Sequence, residues 1–421
     1  MCIRYRSVGL LLAGLAIATG LTTLNPVAPA YAQEQKAKDP ATVRPEIGKP
    51  IQAALDLLKS KKGKDALAKV GEAEAVSDKT AYETYLVGLV HGQAAAAAGD
   101  ASGAAHAFET IATSPAAPAG ERLQFLAVAA GQYYAAKDYG KATELATRYF
   151  KGGGSDKSVR TVYVQALYLS NDFARAAKEL LIDVQAEEQA GKAPAEDQLQ
   201  LLANAYLRQR DNAGYADTME KLVRFHPKRD YWLAVVYSIS TRAGFAERLA
   251  LDLARLKLAT GTLRTAAEYL EAAQLSLQTG FPAEATKIVD EGYTAGLLGK
   301  GADAERHKRL KDMAAKNLAE DKKTLGQDDA QVAALKDGTA LLNTGFNYVL
   351  FGRADKGLAL MEQGMRKGGL KRADDARLHL GYAYHLAGQN QKAIQTFKTV
   401  HGADGTAALA RLWVIHLART A

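Results

Sequence analysis

The chain repeats itself. A turn of small or polar residues, followed by a helical segment with Ala or Gly at a fixed place, recurs at AGDASGAAHAF (98–108), KDYGKATEL (137–145), NDFARAAKEL (171–180), QTGFPAEATKIV (278–289) and LFGRADKGLALM (350–361), and within LHLGYAYHLAGQNQKAIQTF (378–397). Each is preceded by a stretch with apolar residues three and four apart, the spacing of an amphipathic helix. Alignment on the turn places units near residues 47, 85, 123, 157, 196, 230, 266, 302, 338 and 374. Successive starts lie 34 to 39 residues apart, room for two helices and a turn, and the extra residues fall in loop-like KGGGSD (151–156), EEQAGKAPA (187–195) and KGGLKR (367–372). This feature constrains the fold most. A lone helix pair cannot bury its apolar face, so successive pairs must stack to make one continuous core. Alanine, the best helix former, dominates the apolar residues, and Val, Ile and Thr are not enriched, so the expected fold class is all-α.

The N-terminus reads as a targeting segment. Arg4 and Arg6 precede an apolar run from Val8 to Leu24, followed by Pro26, Pro29 and the small-x-small triplet Ala30-Tyr31-Ala32. This predicts a cleaved signal peptide over 1–32, with cleavage after Ala32, and a periplasmic location. The single cysteine, Cys2, lies before the apolar run, so the mature chain has no disulfide and depends on its core. Loss of Arg4 and Arg6 leaves 52 basic against 46 acidic residues, a net charge of +6 spread along the chain. That is not the clustered basic face a nucleic acid requires. Residues 33–46, rich in Lys, Pro and Glu without periodicity, read as a flexible leader. The repeats are expected over 47–406, and a capping helix over 407–421 with Leu409, Leu412, Trp413, Ile415 and Leu417 on its apolar face.

The unit starting at Asp374 resembles a tetratricopeptide repeat. Leu380 and Gly381 fall at its seventh and eighth positions, Tyr384 at the eleventh, Gly388 at the turn, Ala393 at the twentieth and Phe397 at the twenty-fourth. The unit from Leu123 matches at Tyr133, Asp138, Tyr139 and Ala142, that from Lys157 at Asp172, Phe173 and Ala176, and that from Tyr85 at Gly92, Gly99, Asp100, Ala104 and Phe108. The units at 47, 196, 230 and 302 match weakly; Tyr215 stands where a small residue is expected, and the unit at 302 has no turn glycine. The resemblance implies a right-handed superhelical solenoid of about ten helix pairs plus the capping helix, with a concave surface lined by the first helix of each pair. It also implies that the fifth, ninth and twelfth positions of those helices face the concave side. The partner-binding candidates are therefore Tyr134, Gln165, Tyr168, Asn204, Gln274, Phe346, Tyr382 and His385. Tyrosine rings offer contact area at low entropy cost and amides pair with backbone, which suits an extended peptide. No lysine stands at the positions of the carboxylate clamp found in chaperone-tail-binding repeats.

Catalytic signatures are not read in the sequence. GGGSDKS (152–158) has Asp156 where a phosphate loop needs glycine, and no strand leads into it. His379 and His385 are six residues apart and point to different faces of a helix, and His416 is expected to be partly buried on the capping helix. No cofactor or metal is expected. The basic run RHKRLK (306–311) opens a helix expected to reach about Thr324, with Leu310, Ala314 and Leu318 as its apolar stripe. Its solvated face suits peripheral contact with acidic lipid headgroups or an acidic partner.

The stretches DYWLAVVYSI (230–239), LALDLARLKLATGTL (249–263), AAEYLEAAQLSLQTGFPAEATKIVDEGYTAGLL (266–298), KGGLKRADDARLHLGYAYHLAGQ (367–389) and ARLWVIHLA (410–418) resemble exported proteobacterial tetratricopeptide proteins, some encoded beside TonB, ExbB and ExbD. This second resemblance covers about residues 196 to 421 and implies a non-catalytic periplasmic adaptor for TonB-dependent transport across the outer membrane. A peptidoglycan or outer-membrane assembly factor is the alternative. A murein-cleaving enzyme with a superhelical part would carry a separate catalytic domain after the repeats, and none is read before Ala421.

Overall fold

A computed structural model of the chain describes residues 42–327, 330, 334 and 338–419. The expected signal peptide and most of the expected leader lie outside these residues. The fold is all-α, built of tetratricopeptide-like helix pairs, and no strand occurs among the described residues. The chain divides at residues 182 and 183 into two compact units.

The N-terminal unit contains α1 (Pro45–Lys59), α2 (Gly63–Glu74), α3 (Ala81–Ala98), α4 (Ala101–Thr113), α5 (Arg122–Ala135), α6 (Tyr139–Lys151), α7 (Lys157–Leu169) and the first part of α8 (Phe173–Gln189). Successive helices from α1 to α7 pack on one another, and first helices also meet across pairs, α1 on α3 and α5 on α7. Pro45 and Glu46, placed in the leader by sequence, are helical, and Arg44 is held by Glu83. The Arg44 backbone N–H and guanidinium both donate to the buried carboxylate, at 2.9 and 3.0 Å. Glu83 also closes a capping box with Thr80 at the start of α3. The core follows the repeat: Phe108 of α4 stacks on Phe125 of α5 at 6.5 Å, and Phe125 meets Tyr85 of α3 edge-on.

Aspartate starts the second helix of successive pairs. Asp100, Asp138 and Asp172 each accept a hydrogen bond from the backbone N–H three residues on, at 2.9 to 3.1 Å. Asp211 does the same in the C-terminal unit. The carboxylate satisfies a donor that the helix itself leaves unpaired. GGGSDKS is a linker, as expected: Asp156 caps α7 by accepting from the Ser158 N–H at 2.7 Å.

The C-terminal unit contains the rest of α8, then α9 (Glu196–Gln209), α10 (Asn212–Phe225), α11 (Arg229–Ser240), α12 (Ala250–Ala259), α13 (Ala266–Gln278), α14 (Pro282–Thr294) and α15 (Ala304–Thr324). It continues with α16 (Thr339–Leu350), α17 (Ala354–Lys367), α18 (Ala373–Leu386), α19 (Asn390–Phe397) and α20 (Thr406–Leu417). Where a helix pair is expected at 302, the described residues hold one long helix, because nothing between Ala304 and Thr324 breaks it. Its stripe is buried at Leu310 and Ala314 and half-buried at Leu318, and Arg306, Lys308 and Arg309 are exposed. His307 joins the buried side, where its Nδ1 accepts the Gly299 N–H at 3.0 Å.

Close approach is written in glycine. A Cβ on Gly345 would lie 2.6 Å from the Gly357 carbonyl oxygen, so α16 and α17 meet backbone to backbone. A Cβ on Gly381 would stand 2.7 Å from the Phe397 ring, the small-against-large contact expected within the unit at 374.

The capping helix does more than expected. Leu409, Leu412, Trp413 and Leu417 are buried, but α20 packs on α10 and α12 as well as on α18 and α19. Arg411 pairs with Glu220 of α10 at 3.0 Å, and Arg248, just before α12, pairs with Asp375 of α18 at 2.7 Å and with Asp404. The Ala246 N–H donates to the Asp404 carbonyl at 2.9 Å. The row of helices in this unit curls until its end meets its beginning.

Candidate functional site

In the N-terminal unit the structure brings three expected residues together. The Tyr134 hydroxyl on α5 donates to Gln165 Oε1 on α7 at 2.8 Å. Tyr134 also leans on Tyr139, with centroids 5.7 Å apart, and Tyr168, one turn beyond Gln165, meets Phe173 edge-on at 5.2 Å. All five side chains are half-buried. Burial, with Tyr139 nearby, pushes the Tyr134 pKa above its ordinary value, so its hydroxyl stays a neutral donor. Leu169, next in sequence to Tyr168, is an exposed large apolar residue. The repeat pattern assigns Tyr139 and Phe173 to packing; their position at the start of a second helix, next to the first-helix tyrosines, is the signal that places them on this surface.

In the C-terminal unit the expected surface is not open. Phe346 is 2% exposed and Tyr382 8% exposed, and the Arg255 guanidinium occupies the space over both rings, so neither lines a free groove. They wall a buried ion cluster instead. The Arg255 guanidinium lies 4.9 Å from the Phe346 ring centroid, 5.1 Å from that of Tyr382 and 5.7 Å from that of Phe281. It donates two hydrogen bonds of 2.8 Å to Glu284 on α14 and one of 2.8 Å to Asp252 on its own helix. Asp252 receives a further bond from His379 Nε2 on α18, at 3.2 Å, and the Ser276 hydroxyl lies 3.4 Å from Glu284. The physical reason is the curl of this unit. Helices α12, α14, α16 and α18 turn their inner faces toward one another, and their own side chains fill the space. Burial pushes the Asp252 carboxyl up, but His379 and Arg255 outweigh it and hold the pKa at about 2. Burial also drives the Tyr382 pKa far above its ordinary value.

The other three expected residues are not gathered into one site. Asn204 is half-buried and donates to the Gln200 carbonyl of its own helix at 2.9 Å. Gln274 is exposed. His385 is half-buried, shares a hydrogen bond of 3.1 Å with Asn390, and packs against Trp413 at 5.3 Å. His416 is half-buried as expected, edge-on to Trp232 and Trp413.

Sequence reading missed Asp252, Arg255 and Glu284. The signal was present in ALDLARLKLA (250–259), where Asp and Arg three apart interrupt a helix apolar on all sides. Charges in such a helix must be buried and paired. Among the described residues, no group of three or more metal-ligating side chains comes together, and no helix is long and apolar enough to cross a membrane.

No protein-family model matches this sequence, and no curated protein matches it. Among solved structures, the chain is similar to the TPR2AB domain of yeast Sti1 in its pHSP90 complex, at 12% identity and a TM-score of 0.23, over 70% of this chain and 99% of that one. It is similar to yeast Tom70 at 10% identity and 0.23, over 89% and 96% of the two chains. The Cut9–Hcn1 hetero-tetramer of APC/C gives 12% and 0.20, over 86% and 83%.

Proposed function

We propose that this protein is an exported, non-catalytic scaffold that binds an extended segment of a protein partner through its N-terminal unit. The observation that carries the reading is the Tyr134–Gln165 pair on neighbouring first helices, flanked by half-buried Tyr139, Tyr168 and Phe173. Rings already held in place lose little entropy on contact, and an amide beside them can exchange its hydrogen bond for a peptide group. The charged run and A-x-A triplet of the first 32 residues support a periplasmic location. The resemblance of residues 196 to 421 to exported proteobacterial repeat proteins supports a partner from a TonB, ExbB and ExbD type of complex. The exposed bases of α15 give an acidic partner or membrane surface a second point of contact.

A photo-crosslinking residue at Tyr168, installed in growing cells, tests the reading, with one at exposed Leu207 as control. A specific protein adduct is expected from position 168 and not from 207. Replacing Tyr134 and Gln165 by Ala is expected to weaken capture of that partner by roughly tenfold or more. Equal recovery with and without those two side chains rejects the peptide surface. Recovery of sacculus fragments in place of protein transfers the assignment to cell-wall assembly.

A further inference from the structure

A cleft of about 790 Å³ opens in the C-terminal unit where the beginnings of α11 and α13 meet the ends of α12, α14 and α20. Three arginines line it, Arg229, Arg264 and Arg419, beside Trp232, Tyr269 and His416. Each comes from a different segment of the chain. Trp232 and Tyr269 are 3% and 8% exposed, so their rings are fixed walls, whereas all three arginines are exposed.

The charges are unbalanced. Among the described residues, no carboxylate lines the cleft and none of the three guanidinium groups pairs with one. Arg229 Nη2 reaches the Leu263 carbonyl oxygen at a long 3.5 Å. Glu268 and Glu291 act electrostatically on Tyr269, but neither lines the cleft, and Glu268 is already bonded to Lys257 and to the backbone N–H groups of Arg264 and Thr265. Where arginine serves the fold of this unit it is paired, as at Arg248, Arg255 and Arg411. A single unpaired surface arginine is ordinary. Three around one concavity repel one another, and an anion between them relieves that repulsion. The helix that opens at Arg229 also lacks a side-chain cap, which leaves backbone donors at the same end. Among the described residues, the buried Nδ1 of His416 has no hydrogen-bond partner, and burial, His385 and Arg419 hold its pKa below the ordinary value.

We propose that this cleft binds a small amphipathic anion: a carboxylate or phosphate held by the arginines, joined to a flat apolar body laid against Trp232 and Tyr269. Guanidinium groups match two oxygens of either head group, and the aromatic walls match a ring rather than a bare ion. The cleft volume is that of a small-molecule site.

Calorimetric titration of the full chain with 1-naphthoate, 1-naphthyl phosphate, 1-naphthalenemethanol and inorganic phosphate tests this. One naphthyl anion is expected to bind saturably at one site, with the neutral alcohol and inorganic phosphate each at least roughly tenfold weaker, the loss of one charge-assisted contact. The tighter of the two anions identifies the head group. Arg264→Gln and Arg419→Gln are each expected to weaken that anion by a similar factor. Arg264 has no side-chain hydrogen bond among the described residues, so its loss leaves the fold intact. Arg242→Gln, on the same unit but outside the cleft, is expected to bind unchanged. Three results overturn the proposal: no binding of either naphthyl anion at millimolar concentration, equal binding of the neutral alcohol, or unchanged affinity in the Arg264 and Arg419 variants.

Discussion

Arg255 stands at the centre of the buried ion cluster of the C-terminal unit. It is 3% exposed, so its fork has no water to fall back on and depends on Glu284, Asp252 and three aromatic faces. Removing the arginine alone leaves buried Glu284 without its ion pair and Asp252 with His379 as its remaining partner. Arg255→Met is therefore expected to destabilise this unit by about 3–5 kcal/mol. The double change Arg255→Met and Glu284→Leu is expected to recover part of the loss, since it removes a stranded charge. Urea unfolding of both variants checks the pair. The same cluster sets an acid limit. Asp252 titrates at about 2 in the folded state against an ordinary value of 3.8, so its stabilisation is complete above about pH 4 and is lost as pH falls through 2. Asp252→Asn is expected to flatten the stability curve between pH 4 and 2, read from unfolding midpoints across that range.

At the scale of the helix, the repeat is enforced by its ends. Asp100, Asp138, Asp172 and Asp211 do one job at one place in successive units, each bonding the backbone N–H three residues on. Replacing any one by Ala is expected to cost about 1 kcal/mol, and Asn about half of that or less, measured by thermal unfolding. The contact of α16 with α17 is less forgiving. At Gly345 the neighbour is the Gly357 carbonyl oxygen, which has no rotamer to move aside. Gly345→Ala is expected to cost about 1–3 kcal/mol, more than a cap, because the two backbones must separate. The long α15 marks where the repeat lapses: a stretch with no turn glycine and no N-cap stays one helix over the described residues.

At the scale of the molecule, an open row and a closed unit make different predictions for the last helix. In an open row, deleting residues 406–421 would uncover only α18 and α19. In the C-terminal unit, α20 also covers α10 and α12, while its Trp413, 1% exposed, packs on Tyr382 and Phe397. The deletion is therefore expected to raise amide exchange in α10 and α12 as much as in α18. Loss of protection confined to α18 and α19 would contradict the closure seen here.

The helix pairs were legible because their determinants are local. Apolar spacing, turn glycines and capping aspartates act within a few residues, so a linear reading finds them at Asp138, Gly388 or Phe397 as well as a structure does. The same reading groups Tyr134 with Gln165 and Tyr168, because neighbouring pairs are enough to bring α5 and α7 together. It failed at Phe346 and Tyr382, and passed over Asp252, Arg255 and Glu284, for one reason. Whether a first-helix position faces a partner or its own chain depends on how far a unit curls, and curl is the sum of many small rotations between pairs that no single residue encodes. The sequence by itself determined an all-α chain of repeated helix pairs and its likeness to tetratricopeptide proteins. Only the tertiary structure decided that the C-terminal unit closes on an ion cluster, and that Arg229, Arg264 and Arg419, drawn from distant segments, border one cleft, because contacts between residues more than a hundred positions apart leave no periodic trace.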